Sequence, residues 1–218
     1  MNRSKIEWCN FSWNPIRGLC PVDCKTPDGK SYCYARRMSR RFGMNPKLRL
    51  SKREVFADMP VRPGAKIFVC STMELFHPKV MPGWRDTIFC RIAQNPQHIF
   101  IILTKMPERI DRPMPDNVWL GASVTGMEDL DRISYLLEKE AKIKFISFEP
   151  LLNFPALPAH GINWVIIGKL TGCGKRHDPP RRWIEFLVDM AHGLNYPVFL
   201  KNNLREIWGE PLIQEFPK

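Results

Sequence analysis

No stretch of this sequence is apolar for long enough to cross a bilayer, which takes about 20 residues. The opening "MNRSKIEWCNFSWNP" also lacks the apolar run of a secretory signal. The expectation is a cytoplasmic protein with no membrane partner. Ser/Gly linkers, low-complexity tracts and fixed-period repeats are missing as well, which argues against tandem modules and solenoids. Acidic residues are few: 22 Asp and Glu stand against 33 Lys and Arg, a formal charge of +11. The imbalance is local, because "RRMSRRFGMNPKLRLSKR" (36–53) holds eight basic residues and no acid. A field of that sign favours polyanions, DNA or RNA above all, or another anionic substrate. If the run begins as a helix, Arg36 and Arg40, and Arg37 and Arg41, stack one turn apart with no carboxylate to neutralise them. They form either a solvated face or a phosphate-contacting one.

What is present points to one α/β domain over 1–218. With 218 residues, 44% of them hydrophobic, the chain can bury one substantial core. Apolar runs at 66–71, 98–104, 117–124, 144–148, 163–168 and 197–201, with a possible first strand near "FSWNPI", are continuous rather than alternating, as parallel strands covered on both faces are. Between them lie helical stripes. Trp84, Ile88 and Ile92 form one, Leu130, Ile133 and Leu137 a second, and Ile184, Leu187, Val188 and Ala191 a third. Repeated βα units give a barrel or an open sheet; six or seven strands predict an incomplete (β/α) barrel. Polar residues follow each run: Ser71, Thr72 and Glu74; Thr104 and Lys105; Ser123 and Thr125; Ser147 and Glu149; Lys169 and Thr171; Lys201, Asn202 and Asn203. The carboxyl ends of parallel strands converge on one face, where ligands bind.

Seven cysteines in a reducing compartment point to metal or catalysis before disulfides. Cys70 and Cys90 lie in apolar surroundings and read as buried small side chains. Cys20, Cys24 and Cys33 crowd the loop 18–35 with spacing C-x3-C-x8-C. Three thiolates on one loop suit an iron–sulfur cluster with one open iron. Zinc completed by Cys9 or a histidine is the alternative, although the tight C-x2-C pairs of zinc knuckles are missing; unligated thiols are the third.

The run "CPVDC…SYCYA" resembles the radical S-adenosylmethionine motif, three cysteines with an aromatic residue, here Tyr32, before the last. The usual spacing is C-x3-C-x2-C, and this sequence has "KTPDGK" inserted after Cys24; Pro27, Asp28 and Gly29 are a turn signal that lets the insert loop out. "WNPIRGLC", "IFVCSTMELFHP", "LTKMPERI", "NVWLGASV", "FISFEPLL", "WVIIGK" and "VFLKNNL" together resemble the phage-associated three-cysteine-motif proteins, relatives of the radical S-adenosylmethionine enzymes. This resemblance implies a barrel of that type. It implies a [4Fe-4S] cluster on Cys20, Cys24 and Cys33 that binds S-adenosylmethionine, an external electron donor, and a 5′-deoxyadenosyl radical acting on a substrate, with nucleic-acid modification or repair as the concrete version. Where the superfamily holds the methionine amine with Gly-Gly-Glu, this chain reads "CSTMEL", so Ser71, Thr72 and Glu74 are candidate contacts. Ser123 and Glu149 are candidates for the ribose or the amine. Cys173, in "GKLTGCGKRHD", is a candidate hydrogen-atom donor, with Lys175 and His177 beside it, and Lys201 is a candidate anion contact. Two rivals stay open: a non-catalytic nucleic-acid-binding module with a structural zinc or iron–sulfur site, and a metal-free enzyme using Glu74 and Glu149 as acid and base.

Overall fold

The computed structural model describes residues 1–172 and 174–218. In chain order the elements are β1 (Asn2–Arg3), β2 (Phe11–Trp13), β3 (Ile16–Arg17), α1 (Tyr34–Arg41), β4 (Arg49–Leu50), α2 (Lys52–Val55), β5 (Lys66–Val69), α3 (Pro82–Ala93), β6 (Ile99–Thr104), β7 (Val118–Ser123), α4 (Leu130–Leu137), β8 (Ile143–Phe148), β9 (Trp164–Ile167), α5 (Arg181–Gly193), β10 (Val198–Leu200) and α6 (Arg205–Trp208). No helix among the described residues is long and apolar enough to cross a membrane.

The fold is mixed α/β. Eight strands form one sheet in the order β1-β2-β5-β6-β7-β8-β9-β10. Only β1 runs antiparallel to its neighbour, and the other seven are parallel. β3 and β4 make a separate antiparallel pair. Among the described residues no ladder joins β10 to β1, so the sheet is open. The strand order never reverses, unlike that of a doubly wound sheet with its switch point.

The expected regular βα alternation is only half kept. α-Helices follow β5, β7, β9 and β10, whereas β6 reaches β7 through a single 3-10 turn at Pro107–Arg109 and β8 reaches β9 through a loop. Each of these two crossovers carries three prolines, at 107, 113 and 115 and at 150, 155 and 158. Proline removes a backbone donor and pushes the preceding residue out of the helical region, so neither segment sustains an α-helix.

Residues alternate between two cores. On one face Ile67, Ile102, Leu120, Ile146, Ile167 and Leu200 lie under Ile88 and Ile92 of α3, Ile133 and Leu136 of α4, and Ile184 and Leu187 of α5. On the other face Phe68, Ile101, Trp119, Phe145, Trp164 and Phe199 gather around Trp8 from the β1–β2 loop. The Trp8 ring centroid is 4.7 Å from that of Phe68 on β5 and 6.4 Å from that of Trp164 on β9. Those strands are four places apart, about 19 Å along a flat sheet; one indole meeting side chains from both requires the sheet to curl around this face. Cys90, expected to be buried, is exposed. It lies half a turn from Ile88 on the solvent side of α3, where the Gln94 amide donates to its sulfur at 3.6 Å.

The excursion between β2 and β5 is anchored by Glu54. Its carboxylate meets the Met1 ammonium at 2.8 Å and the Arg17 guanidinium at 2.6 Å, and its carbonyl accepts from the Trp13 indole at 2.7 Å. Burial alone would raise this carboxyl, but the ammonium and guanidinium together hold it below its ordinary value. Because the folded value is depressed, the stabilisation is present above the unfolded carboxylate range and is lost as pH falls through the folded value. Glu54→Gln is expected to lose about 2 kcal/mol at neutral pH. In chemical denaturation, its gap from the parent should narrow below about pH 4; a gap independent of pH would contradict the ion pairs.

Candidate functional site

The inward parity that builds the aromatic core continues past the strand ends with polar side chains. Ile101 and Leu103 lead to Lys105, Trp119 and Gly121 to Ser123, Phe145 and Ser147 to Glu149, and Phe199 to Lys201. Lys105, Glu149 and Lys201 border a cavity of about 280 Å³ together with Cys20, Cys24, Tyr32, Cys33, Arg37, Cys70, Ser71, Thr72, Glu74 and Lys169, with Trp8 and Phe68 as apolar floor. The three motif cysteines and most of the residues expected from strand ends thus meet in one place.

The inserted "KTPDGK" loops out cleanly. Lys25 and Ser31 form an isolated antiparallel bridge. The Thr26 N–H donates to the Lys30 carbonyl at 2.9 Å and the Gly29 N–H to the Thr26 carbonyl at 2.8 Å. Gly29 sits at φ 80°, a left-handed turn position that glycine takes without penalty. The Tyr32 N–H then donates to the Cys24 carbonyl at 2.9 Å, which closes the hairpin and returns Cys33 to Cys24. The hairpin docks through Asp28 on Arg176 and His177, each at 3.4 Å, and Arg36 ties its base to Asp23 at 3.2 Å and to the Cys20 carbonyl at 3.1 Å.

All three motif cysteines are free thiols. Cys33 stands at the amino end of α1 and has no short capping bond. A hydrogen bond from the Cys24 thiol lowers it to about 6 against the effect of burial, with help from the Arg36 and Ala35 N–H groups. Cys24 moves up in consequence, because of that same bond and burial, while the Lys105 ammonium opposes the rise. Burial raises Cys20 although the Glu74 and Val22 N–H groups face its sulfur. The sulfurs share the cavity without closing on one point: among the described residues no three His, Cys, Asp or Glu side chains are placed to hold a single metal ion.

The other expected contacts divide. Ser71 and Thr72 border the cavity but are engaged with Asn14 of the "WNP" segment, at 3.1 and 3.3 Å. Glu74 is buried, and its oxygens accept from the Thr104 hydroxyl at 2.6 Å, the Lys105 N–H at 2.8 Å and the Phe76 N–H at 3.2 Å. That carboxylate staples β5 to β6. Ser123 is buried behind Lys105, whose ammonium donates to it at 2.8 Å. Glu149 pairs with Lys201, which also stands 4.0 Å from Glu7. A Cβ on Gly168 would come within 2.9 Å of the Lys201 side chain, so only glycine leaves this pair its place. Glu74 and Glu149 are therefore both engaged with partners within the chain.

Of the four arginines, Arg36 is half-buried, and Arg37, although exposed, is held within the chain. Arg37 donates to the carbonyls of Gly172 and Thr171 at 3.0 and 3.1 Å, drawing α1 onto the loop after β9. Arg40 and Arg41 are exposed. Lys175 pairs with Glu206 at 3.3 Å. Cys173 lies outside the described residues. Asn14 was not among the candidates; Lys105 was placed among the strand-end residues of the ligand face but given no role of its own. Cys70 was read as merely buried; its thiol, pushed up to about 12 by burial, also borders the cavity.

A family model described as a protein of unknown function, DUF5131, matches residues 3–212. The chain belongs to the DUF5131 family. Neither the curated proteins nor the solved structures contain a match to it. The matched span in this DUF5131 member takes in the cysteine loop, every parallel strand and all the cavity residues named above.

Proposed function

We propose that this cavity is the cofactor site of a radical S-adenosylmethionine enzyme built on an incomplete (β/α) barrel, with a [4Fe-4S] cluster on Cys20, Cys24 and Cys33. The observation that carries the reading is the looped-out hairpin, which brings Cys33 back to Cys24 inside the cavity that Cys20 also borders. The chemistry of the donor set suits such a group, which would draw the three sulfurs to one point on binding. Three free thiols face one space, and backbone N–H groups of Val22, Glu74, Ala35 and Arg36 are turned toward two of the sulfurs. Hydrogen bonds to sulfur are a main lever on a cluster's potential. The volume, about 280 Å³, is near the lower end for small-molecule sites.

When bound, reduced by an external one-electron donor and loaded with S-adenosylmethionine, such a cluster supplies a 5′-deoxyadenosyl radical. This chain's own residues do the rest. Lys105, with no carboxylate within ion-pair distance among the described residues, presents a positive charge to the thiols and to any bound anion. Glu149 and Lys201 fix opposite charges at the far rim. Trp8, Phe68 and Leu103 keep water from the floor. Arg37 and the hairpin close the side toward the loop after β9. Free thiols of this kind suit a reducing cytoplasm.

The deciding experiment is anaerobic reconstitution of the full chain with iron and sulfide, then reduction with S-adenosylmethionine and assay for 5′-deoxyadenosine. A brown protein that forms 5′-deoxyadenosine supports the reading. A colourless protein holding stoichiometric zinc overturns it in favour of a non-catalytic module.

A further inference from the structure

The helix beside the cavity mouth is built unlike the others. α1 contributes no residue to the core and has no acid in its first turn. Tyr34 at its start borders the cavity and is 61% exposed; Phe42 just past its end is 66% exposed. Tyr34 and Arg41 are seven residues apart and lie on one stripe of the helix, and the Arg41 guanidinium sits over the Phe42 ring, 5.4 Å from its centroid. Arg40 and Arg41 have no ion pair among the described residues, while Arg36 and Arg37 are occupied by the loops they hold. Exposed aromatic rings cost free energy in water, and the 36–53 stretch, with eight basic residues and no acid of its own, repels itself. Together they make a surface that is complete only against a partner offering flat apolar faces and regularly spaced negative charge.

We propose that α1 is a docking surface for single-stranded nucleic acid, with Tyr34 and Phe42 as base-stacking platforms and Arg40 and Arg41 as phosphate contacts, leading one base to the cavity mouth. A duplex keeps its bases stacked on one another and offers these rings nothing, whereas unpaired bases stack on aromatics irrespective of sequence. The inference rests on the cofactor reading only for what happens to a base once it arrives; docking itself needs neither cluster nor S-adenosylmethionine.

The test is fluorescence anisotropy with a labelled 12-nucleotide single strand and its duplex, using the full chain without added iron or cofactor. The single strand is expected to bind at least about tenfold more tightly than the duplex. Tyr34→Ala and Phe42→Ala should each weaken it by roughly tenfold, the size of a lost stack, with Tyr34→Phe retaining affinity. Arg40→Glu with Arg41→Glu should flatten the slope of log affinity against log salt by about 1.4, two single-strand phosphate contacts. Equal binding of duplex, or affinity unmoved by both aromatic variants, would overturn the proposal, and no binding at low salt would point to an acidic protein surface instead. Failure here would leave 5′-deoxyadenosine formation untouched, and failure of that assay would leave docking untouched.

Discussion

Cys33→Ser is expected to abolish iron retention and 5′-deoxyadenosine formation, a loss of about a hundredfold or more, while leaving the melting temperature at or above that of the parent. The two halves of this expectation have separate causes. Cys33 occupies the position just before the first residue of α1 and makes no short capping bond there. Serine at that position accepts from the helix N–H groups better than most residues, so the fold loses nothing and gains a cap. A hydroxyl is a poor substitute for a thiolate on iron, however, and it removes the one sulfur already drawn toward the thiolate form. The matched control is Cys90→Ser, an exposed thiol on the far side of α3, which should keep its iron. Iron counted per chain by colorimetry, with circular dichroism for the fold, separates the outcomes. Undiminished iron in Cys33→Ser would dismiss this cysteine as a ligand, and a collapsed fold would mean that Cys33 is structural.

Much of this arrangement is legible in the residues. The continuous apolar runs locate the six parallel strands β5 to β10 to within two residues, because a strand buried on both faces leaves no room for polar interruption. The stripe of Ile184, Leu187, Val188 and Ala191 is buried as its spacing requires. The cysteine spacing, with its turn signal at Pro27, Asp28 and Gly29, anticipates the hairpin. Three things escape a reading of local pattern. β1, β3 and β4 are two residues each, too short to carry a period. The prolines of the two helix-free crossovers are visible, but their combined effect depends on how far the chain must travel to the next strand. Finally, the destinations of Arg36 and Arg37 are carbonyls of Cys20, Thr171 and Gly172, far apart in sequence for Arg37; its long-range partner has no local signature. Charge counting alone therefore treats all four arginines as equivalent candidates, whereas Arg36 and Arg37 are engaged within the chain and Arg40 and Arg41 have no ion pair among the described residues.

Gly121→Ala is expected to be the most destabilising single methyl that can be added to the sheet. Gly121 lies in the middle of β7, in register with Phe145 of β8. A Cβ there would come within 2.3 Å of the Phe145 ring, so the ring must move. It has nowhere easy to go, because Phe145 is fully buried and packs against Trp164 with centroids 5.4 Å apart, and Trp164 in turn meets Trp8, Trp119, Phe199 and Phe216. Overpacking of a close-packed interior costs about 1–3 kcal/mol, and this position belongs at the upper end. For a chain of this size that is a fall of roughly 5–10 °C in melting temperature. The disturbance should also reach the cavity, since Glu149, just past the end of β8, continues the inward parity of Phe145 and Ser147. Phe145→Leu frees the space that the new methyl needs, so the double variant should recover part of the loss, with a coupling of about 1 kcal/mol or more. Simple additivity of the two changes would mean that the ring and the glycine do not share one space, and that the inner face is less tightly curled than the Trp8 contacts require.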